Sequence, residues 1–307
     1  KRQGGCVWKK LEWTVGGTTI TMTDDRKAPI FLDFNDFNPH GVAGVFDERS
    51  SPGLDGAATY SAVLSKRQPQ FTARVLGFNI GSAQRPAETV LDEYTKLLCE
   101  VFSPRVVGRL TYTTNNGAFY LDCRPTSLPS FGGVEGGTFT FTVGLSSDSP
   151  YWKSVAEHRI DIGDTEPLVV YSSELPRDTG RIISSSKTVY NFTNLEQYPV
   201  VRFWPCNSAP ILTNKTTGKY VALNRRLSDG FYIDIDTAPE RNTVILWRLN
   251  EDTGKYEELE DVSYWLTIDS ATDFSIVPGP NMLIADNIVA GVYPAASVIW
   301  HDRALGV

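Results

Sequence analysis

Apolar and polar residues alternate in short runs along most of the chain, the period of two that half-buried strands require. Val7, Trp8, Leu11, Trp13 and Val15, then Thr18 to Met22 and Ile30 to Leu32, predict a hairpin or meander punctuated by Gly16-Gly17 and Asp24-Asp25. The alternation fails over 33–56, where Asn, Asp, Pro and Gly dominate, and this stretch reads as a long surface loop. Strands resume over 58–64 and 70–79. Pro86, with Ser82 or Gln84 nearby, then opens the one convincing helix, over 87–102. Its apolar positions Val90, Leu91, Tyr94, Leu97, Leu98 and Val101 keep the i, i+3, i+4 spacing, and Ser103-Pro104 ends it. The turn Asn115-Asn116-Gly117 joins strands 108–114 and 118–124 into a hairpin, and Thr138 to Val143 alternates as a further strand.

Beyond residue 150 the pattern is again that of strands. Two or three are predicted within 158–190, around a turn at Pro176-Arg177-Asp178. The richest stretch runs from Tyr190 to Asp236: a strand entry Asn191-Phe192-Thr193-Asn194, a Tyr198-Pro199 step, and a long strand with Val200, Arg202 and Trp204 alternating against Val201 and Phe203. Tyr220 and Ala222, then Phe231, Ile233 and Ile235, alternate as further short strands, and a Thr217-Gly218 hairpin turn with a return strand closing on Asp234-Ile235-Asp236 completes the order. Strands at 242–249 and 255–259 flank Asn250-Glu251-Asp252-Thr253-Gly254, the Pro278-Gly279-Pro280-Asn281 step is a turn, and 291–300 is a last strand. The expectation is a predominantly β protein with one helix, long enough for two domains.

Composition removes several classes of function. With 36 acidic and 29 basic residues the formal charge is −7, which disfavours direct nucleic-acid binding. Cys6, Cys99, Cys123 and Cys206 are scattered without a C-x-x-C pair and read as free thiols of a reducing compartment. No signal peptide and no apolar run near the ~20 residues of a membrane helix are read, so no membrane partner is expected. Asn191 and Asn214 sit in glycosylation sequons but read as strand and turn residues. His40, His158 and His301 have no partner at ligand spacing, and Asp33, Asp36, Asp47 and Asp55 lack the spacing of a calcium loop. Gly132-Gly133-Val134-Glu135-Gly136-Gly137 lacks the lysine of a phosphate cradle and reads as a turn between strands. Asp234 and Asp236 share one face of a strand, as a hydrolase pair would, but two carboxylates on one strand more often cap a turn or meet Arg225, Arg226 or Arg241. Of the tryptophans, Trp8, Trp13, Trp152, Trp204 and Trp300 read as core, Trp247 and Trp265 as the more exposed. No catalytic, cofactor-binding or metal residue is assigned, no cofactor is expected, and no reaction is assigned to the chain.

The order of these weak motifs resembles a known family. The N-F-T-N, Y-P, N-K-T-T-G and I-D string of 191–236 is similar to the C-terminal domain of the distal tail proteins of long-tailed (siphovirus) bacteriophages. So are Pro52-Gly53-Leu54-Asp55-Gly56, the strand and helix ending at Leu97-Leu98, the Asn-Gly hairpin, Asp148-Ser149-Pro150-Tyr151-Trp152 and the Pro-Gly-x-Asn turn, which span 52–152 and 180–286 in the family's order. The resemblance implies an N-terminal ring-forming β domain with one α-helix, 1–147, and a C-terminal galectin-like β-sandwich, 148–307. It further implies a structural tail-tip or baseplate hub in the virion, made in the host bacterial cytoplasm. The hub would assemble as a hexameric ring between the tail tube protein and the hub or fibre proteins, with DNA passing the lumen unbound. Loop 33–56 and its flanking strands are the candidates for contact between copies. The alternative is a receptor-binding or cell-wall carbohydrate-binding module, since galectin-like sandwiches stack aromatic rings on sugars.

Overall fold

Gly16 and Gly17, both at positive φ, let β1 (Lys10–Val15) turn directly into β2 (Thr18–Thr23), pairing Val15 with Thr18. The computed structural model describes residues 9–39, 42–49, 55, 58–80, 87–163, 165–167, 180–182, 186–206, 208–286, 294 and 296–307. The chain divides into two compact units, Lys1–Val155 with Ala304–Val307, and Ala156–Arg303.

In the first unit, β3 (Ile30–Leu32) leads through a 3-10 turn to a hairpin of β4 (Gly44–Arg49) and β5 (Ala58–Leu64). There follow β6 (Gln70–Leu76), the short helix α1 (Gly77–Ile80), α2 (Ala87–Val101), β7 (Gly108–Thr114), β8 (Gly117–Pro125), β9 (Ser130–Phe131) and β10 (Thr138–Ser146). The first residues of β11 (Trp152–Ile162) pair with β8. The sheet runs β8-β7-β1-β2-β3-β6-β10-β9, and β10 also pairs with β8 through Leu145↔Pro125, which closes it into a barrel. Alternation decides the inside: Leu11, Trp13, Met22, Leu32, Phe71, Phe141 and Trp152 are buried, and α2 lays Val90, Leu91, Leu98 and Val101 inward. The Trp13 indole N–H donates to the Val101 carbonyl at 2.9 Å, satisfying an orphan acceptor at the helix end. A Cβ on Gly108 would lie 2.5 Å from that indole, so glycine is what lets β7 pass the ring.

The second unit takes the rest of β11, a hairpin of β12 (Thr165–Pro167) and β13 (Gly180–Ile182), then β14 (Ser186–Asn191), β15 (Val200–Phe203), β16 (Ile211–Asn214) and β17 (Tyr220–Ala222). After them come β18 (Phe231–Asp236), β19 (Thr243–Asn250), β20 (Lys255–Asp261), β21 (Gly279–Asp286) and β22 (Ala296–Ala304). One sheet is ordered β20-β19-β18-β15-β22-β11 and a second β14-β21-β16-β17. Val201, Phe203, Ile233, Ile235, Val244 and Leu246 of the first share one core with Val189, Leu212, Val221 and Leu283 of the second, the arrangement of a sandwich. Buried asparagines close its turns. Asn191 accepts from the Thr193 N–H and donates to the Leu195 and Ile276 carbonyls, and Asn214 accepts from Thr216 N and donates to Ser275 O and Asn281 Oδ1. Asn281 in turn holds Val277 through both its N–H and its carbonyl. The motifs N-F-T-N, N-K-T-T-G and P-G-x-N are therefore side-chain turns, and both sequon asparagines are spent inside them.

The fold class is the one expected, mainly β with a helix in the N-terminal domain and a galectin-like β-sandwich at the C-terminus. Four local expectations are corrected. Residues 44–49 form a strand rather than loop, and 77–80 turn into α1 instead of extending β6. The strand read at Tyr220 and Ala222 is present, but it, and not the strand ending at Asp236, is the return from Thr217-Gly218: it pairs with Ile211–Thr213 in the second sheet, whereas the strand ending at Asp236 pairs with β15 in the first. The last strand runs on to Ala304. The readings at Cys6, Val7, Trp8, His40, Pro52 to Leu54, Gly56, Ser82, Gln84, Pro86, the turn at 176–178 and the start of the 291–300 strand lie outside the described residues.

Candidate functional site

The stretch singled out for contact between copies holds the hairpin β4–β5. Its register pairs Val45 with Val63 and Phe46 with Ala62, so successive pairs face opposite sides. Every residue of β4 is exposed, and the apolar ones lie open on both faces: Val45 at 52%, Phe46 at 59%, Tyr60 at 66% and Val63 at 59%. The register shifts between Asp47 and Glu48, which makes Tyr60 the extra residue of a bulge, and the Arg49 guanidinium lies 5.3 Å from its ring centre. Among the described residues the hairpin joins no other strand. An isolated two-stranded ribbon is marginal in water, and exposed apolar side chains gathered on one are uncommon on a free surface.

The root of this hairpin is fixed by a residue the sequence did not flag. Arg67, three positions past β5, is 1% exposed. It donates to the Pro39 carbonyl ahead of the hairpin, to the Pro150 carbonyl at 2.8 Å and to the Leu305 carbonyl at 2.6 Å, and its guanidinium lies 5.9 Å from the Trp152 ring centre. The Trp152 indole N–H shares the Pro39 carbonyl at 2.9 Å. No carboxylate pairs with Arg67 among the described residues, and burial lowers its pKa from the ordinary arginine value. The Ser65 N–H to Ala43 carbonyl bond at 2.9 Å extends the ladder toward this clamp. The entering and leaving strands of the hairpin are thus held by one side chain, in the segment where Asp148-Ser149-Pro150-Tyr151-Trp152 was read as closing the domain.

The other singled-out residues go to structural partners. Asp234 takes Arg202 of β15 in a two-point bond at 2.7 and 2.8 Å, not Arg225, Arg226 or Arg241, while Asp236 accepts from the Ala238 N–H and lies 3.7 Å from Arg241. Burial lowers the Arg202 pKa, but its hydrogen bonds and the charge of Asp234 outweigh this and the net direction is up. His158 meets Asp302 at 3.0 Å and stacks on Trp300. Cys99, Cys123 and Cys206 are free, and burial pushes the Cys123 thiol up to about 12. Gly136 and Gly137, both at positive φ, form the tight turn between Glu135 and Thr138. Trp13, Trp152 and Trp300 are core, whereas Trp204 joins Trp247 and Trp265 as half-buried. Among the described residues no three His, Cys, Asp or Glu side chains gather as a metal set, and no helix is long and apolar enough to cross a membrane.

Fold and site together define a class: a chain of two β units, a closed barrel and a sandwich, bearing a solvent-exposed apolar hairpin pinned by a buried arginine. No protein-family model matches the chain, and no curated protein matches it. Among solved structures it is similar to the Dit protein of phage SPP1, whose crystal structure is described as a paradigm of the hub adsorption apparatus in phages infecting Gram-positive bacteria. Identity is 14%, the TM-score is 0.57, and the match covers 96% of this chain and 99% of that one. It is also similar to a chain of the phage p2 baseplate in its activated conformation, solved with strontium (12% identity, TM-score 0.52) and with calcium (12%, 0.55), each match covering 97% of this chain and 99% of the other. These matches show the same fold over 96–97% of the chain.

Proposed function

We propose that the chain is a structural protein of a phage tail tip, a hub that assembles as a hexameric ring and joins the tail tube to baseplate or fibre proteins. The observation that carries this reading is the β4–β5 hairpin, whose two apolar faces and open edges need a partner that a second copy of the same chain supplies. Each side chain buried there contributes at roughly 25 cal/mol per Å² of apolar surface. The likeness to a phage hub and to a phage baseplate supports the assignment. A ring closes such contacts without leaving an edge, and a chain of net charge −7 offers a lumen that DNA crosses without adhering. Sedimentation velocity tests it. The native chain is expected at about 204 kDa, six times its 34.0 kDa mass, and the double variant Phe46→Asp with Val63→Lys as a folded monomer. A variant that still sediments with the native mass overturns the assignment of the hairpin.

A further inference from the structure

Three turns meet at one end of the barrel in the first unit. The Asn79 side chain on α1 donates to the Arg26 carbonyl at 2.7 Å and to the Ala28 carbonyl at 3.0 Å, which ties the short helix to the turn between β2 and β3. The Gly77 N–H donates to the Gly137 carbonyl at 3.0 Å, which ties the same helix to the glycine turn ahead of β10. A Cβ on Gly77 would stand 2.7 Å from that carbonyl, so the close approach depends on glycine. These bonds gather apolar side chains from three distant stretches: Pro29, Phe78 at 60% and Val134 at 59% are all exposed there. Neither Phe78 nor Val134 takes part in the barrel core.

The exposed charges around this corner are mainly positive. Arg26 and Lys27 in the turn and Arg74 on β6 are exposed, and none of the three has an ion-pair partner among the described residues. Of the acids, Asp24 and Asp25 are half-buried, with Asp25 accepting from the Lys27 N–H at 2.9 Å, and Glu135 is exposed. The β4–β5 hairpin has the opposite make-up. Beside Phe46 it exposes Asp47 and Glu48, while Arg49 is drawn over Tyr60. In a cyclic ring of identical copies each contact joins two different patches of the chain, one giving and one receiving. A hairpin set against its own equivalent would also bring two pairs of acids together. The corner at Phe78 supplies what a receiving patch needs: an apolar centre for the hairpin's valines and Phe46, with cations at its rim for the acids that follow.

We propose that the barrel corner of Pro29, Phe78 and Val134 receives the β4–β5 hairpin of the next copy, with Arg26 and Lys27 facing the partner's Asp47 and Glu48. The inference rests on the proposed ring assembly and adds the surface on which each hairpin lands. Sedimentation velocity of two double variants, apart and mixed, tests it. Phe46→Asp with Val63→Lys disables the hairpin, Phe78→Asp with Val134→Asp disables the corner, and each alone is expected as a monomer. Mixed in equal amounts they are expected to form a dimer of about 68 kDa, twice the 34.0 kDa chain, because the intact hairpin of one meets the intact corner of the other and no further contact remains. That dimer also shows both variants to be folded. A disulfide trap reads the same contact inside the complete assembly. Asp47→Cys with Lys27→Cys is expected to give a ladder of linked chains on a denaturing gel under a mild oxidant, and neither single variant is. Val107→Asp with Leu128→Asp, at other exposed apolar positions of the unit, is expected to keep the native mass. A corner variant that assembles like the native chain, or assembly lost at Val107 and Leu128 in its place, overturns the inference and leaves the ring standing. So does a mixture that stays monomeric when the ladder is also absent. A native chain that is itself monomeric overturns the ring reading, and the inference with it.

Discussion

Replacing Arg67 by methionine keeps most of the volume of the side chain and removes its donors. In the native fold the guanidinium serves three backbone carbonyls, those of Pro39, Pro150 and Leu305, from a position that is 1% exposed. The Trp152 indole still serves the Pro39 carbonyl, so those of Pro150 and Leu305 are left without a donor, at about 1–3 kcal/mol each. Removing a desolvated, unpaired cation returns several kcal/mol of that sum, because its burial opposed folding. The net destabilisation expected for Arg67→Met is about 1–3 kcal/mol, a sizeable share of the ~5–15 kcal/mol that holds a domain together. Urea unfolding of the native and variant chains measures it through the midpoint at constant slope. The location of the loss is as informative as its size. Hydrogen exchange is expected to accelerate in Gly44–Arg49 and Ala58–Leu64, whose root the arginine fixes, while β15 and β18 of the second unit keep their protection. A midpoint shift worth less than about 0.5 kcal/mol, or unchanged exchange in the hairpin, refutes the clamp.

Other perturbations separate the remaining parts of the account. Asn281→Ala strips the Val277 turn and Asn214 of their partner and is expected to cost about 2–4 kcal/mol in the same unfolding assay, whereas Asn250→Ala, at an exposed turn, costs under about 1 kcal/mol. Gly108→Ala drives a methyl into the Trp13 indole and the Thr14 carbonyl and is expected to lower stability by about 1–3 kcal/mol, read by thermal melting. The Cys123 thiol has a folded pKa raised to about 12 from 9.0, so its contribution is complete below pH 9.0 and is lost as the pH rises toward 12. Cys123→Ala should flatten that alkaline decline, and the native thiol should resist a disulfide reagent until the chain unfolds.

What the sequence made legible was local chemistry. The Gly16-Gly17, Asn115-Asn116-Gly117 and Asn250 to Gly254 turns carry their conformation in one or two residues, and the α2 face repeats at a spacing no strand shares. The order of asparagine turns was readable because each is closed by its own side chain within a few positions. Pairings set at long range were not. Arg202 and Asp234 are 32 residues apart, Arg67 and Leu305 are 238 apart, and the transfer of β16–β17 to the second sheet leaves no mark in the hairpin's own residues. β4 escaped for a different reason: exposed on both faces, it has no buried side to impose alternation, so GVFDER within a stretch dominated by Asn, Asp, Pro and Gly reads as loop. The same absence of a buried side is the feature on which the proposed contact between copies rests.

Negative-stain imaging of the purified chain puts the assembly itself in view. Class averages showing closed rings with six subunits around an open lumen, lost in the Phe46→Asp, Val63→Lys variant, are the result predicted. Solitary particles of one chain at every concentration, or rings that persist unchanged in that variant, would contradict it.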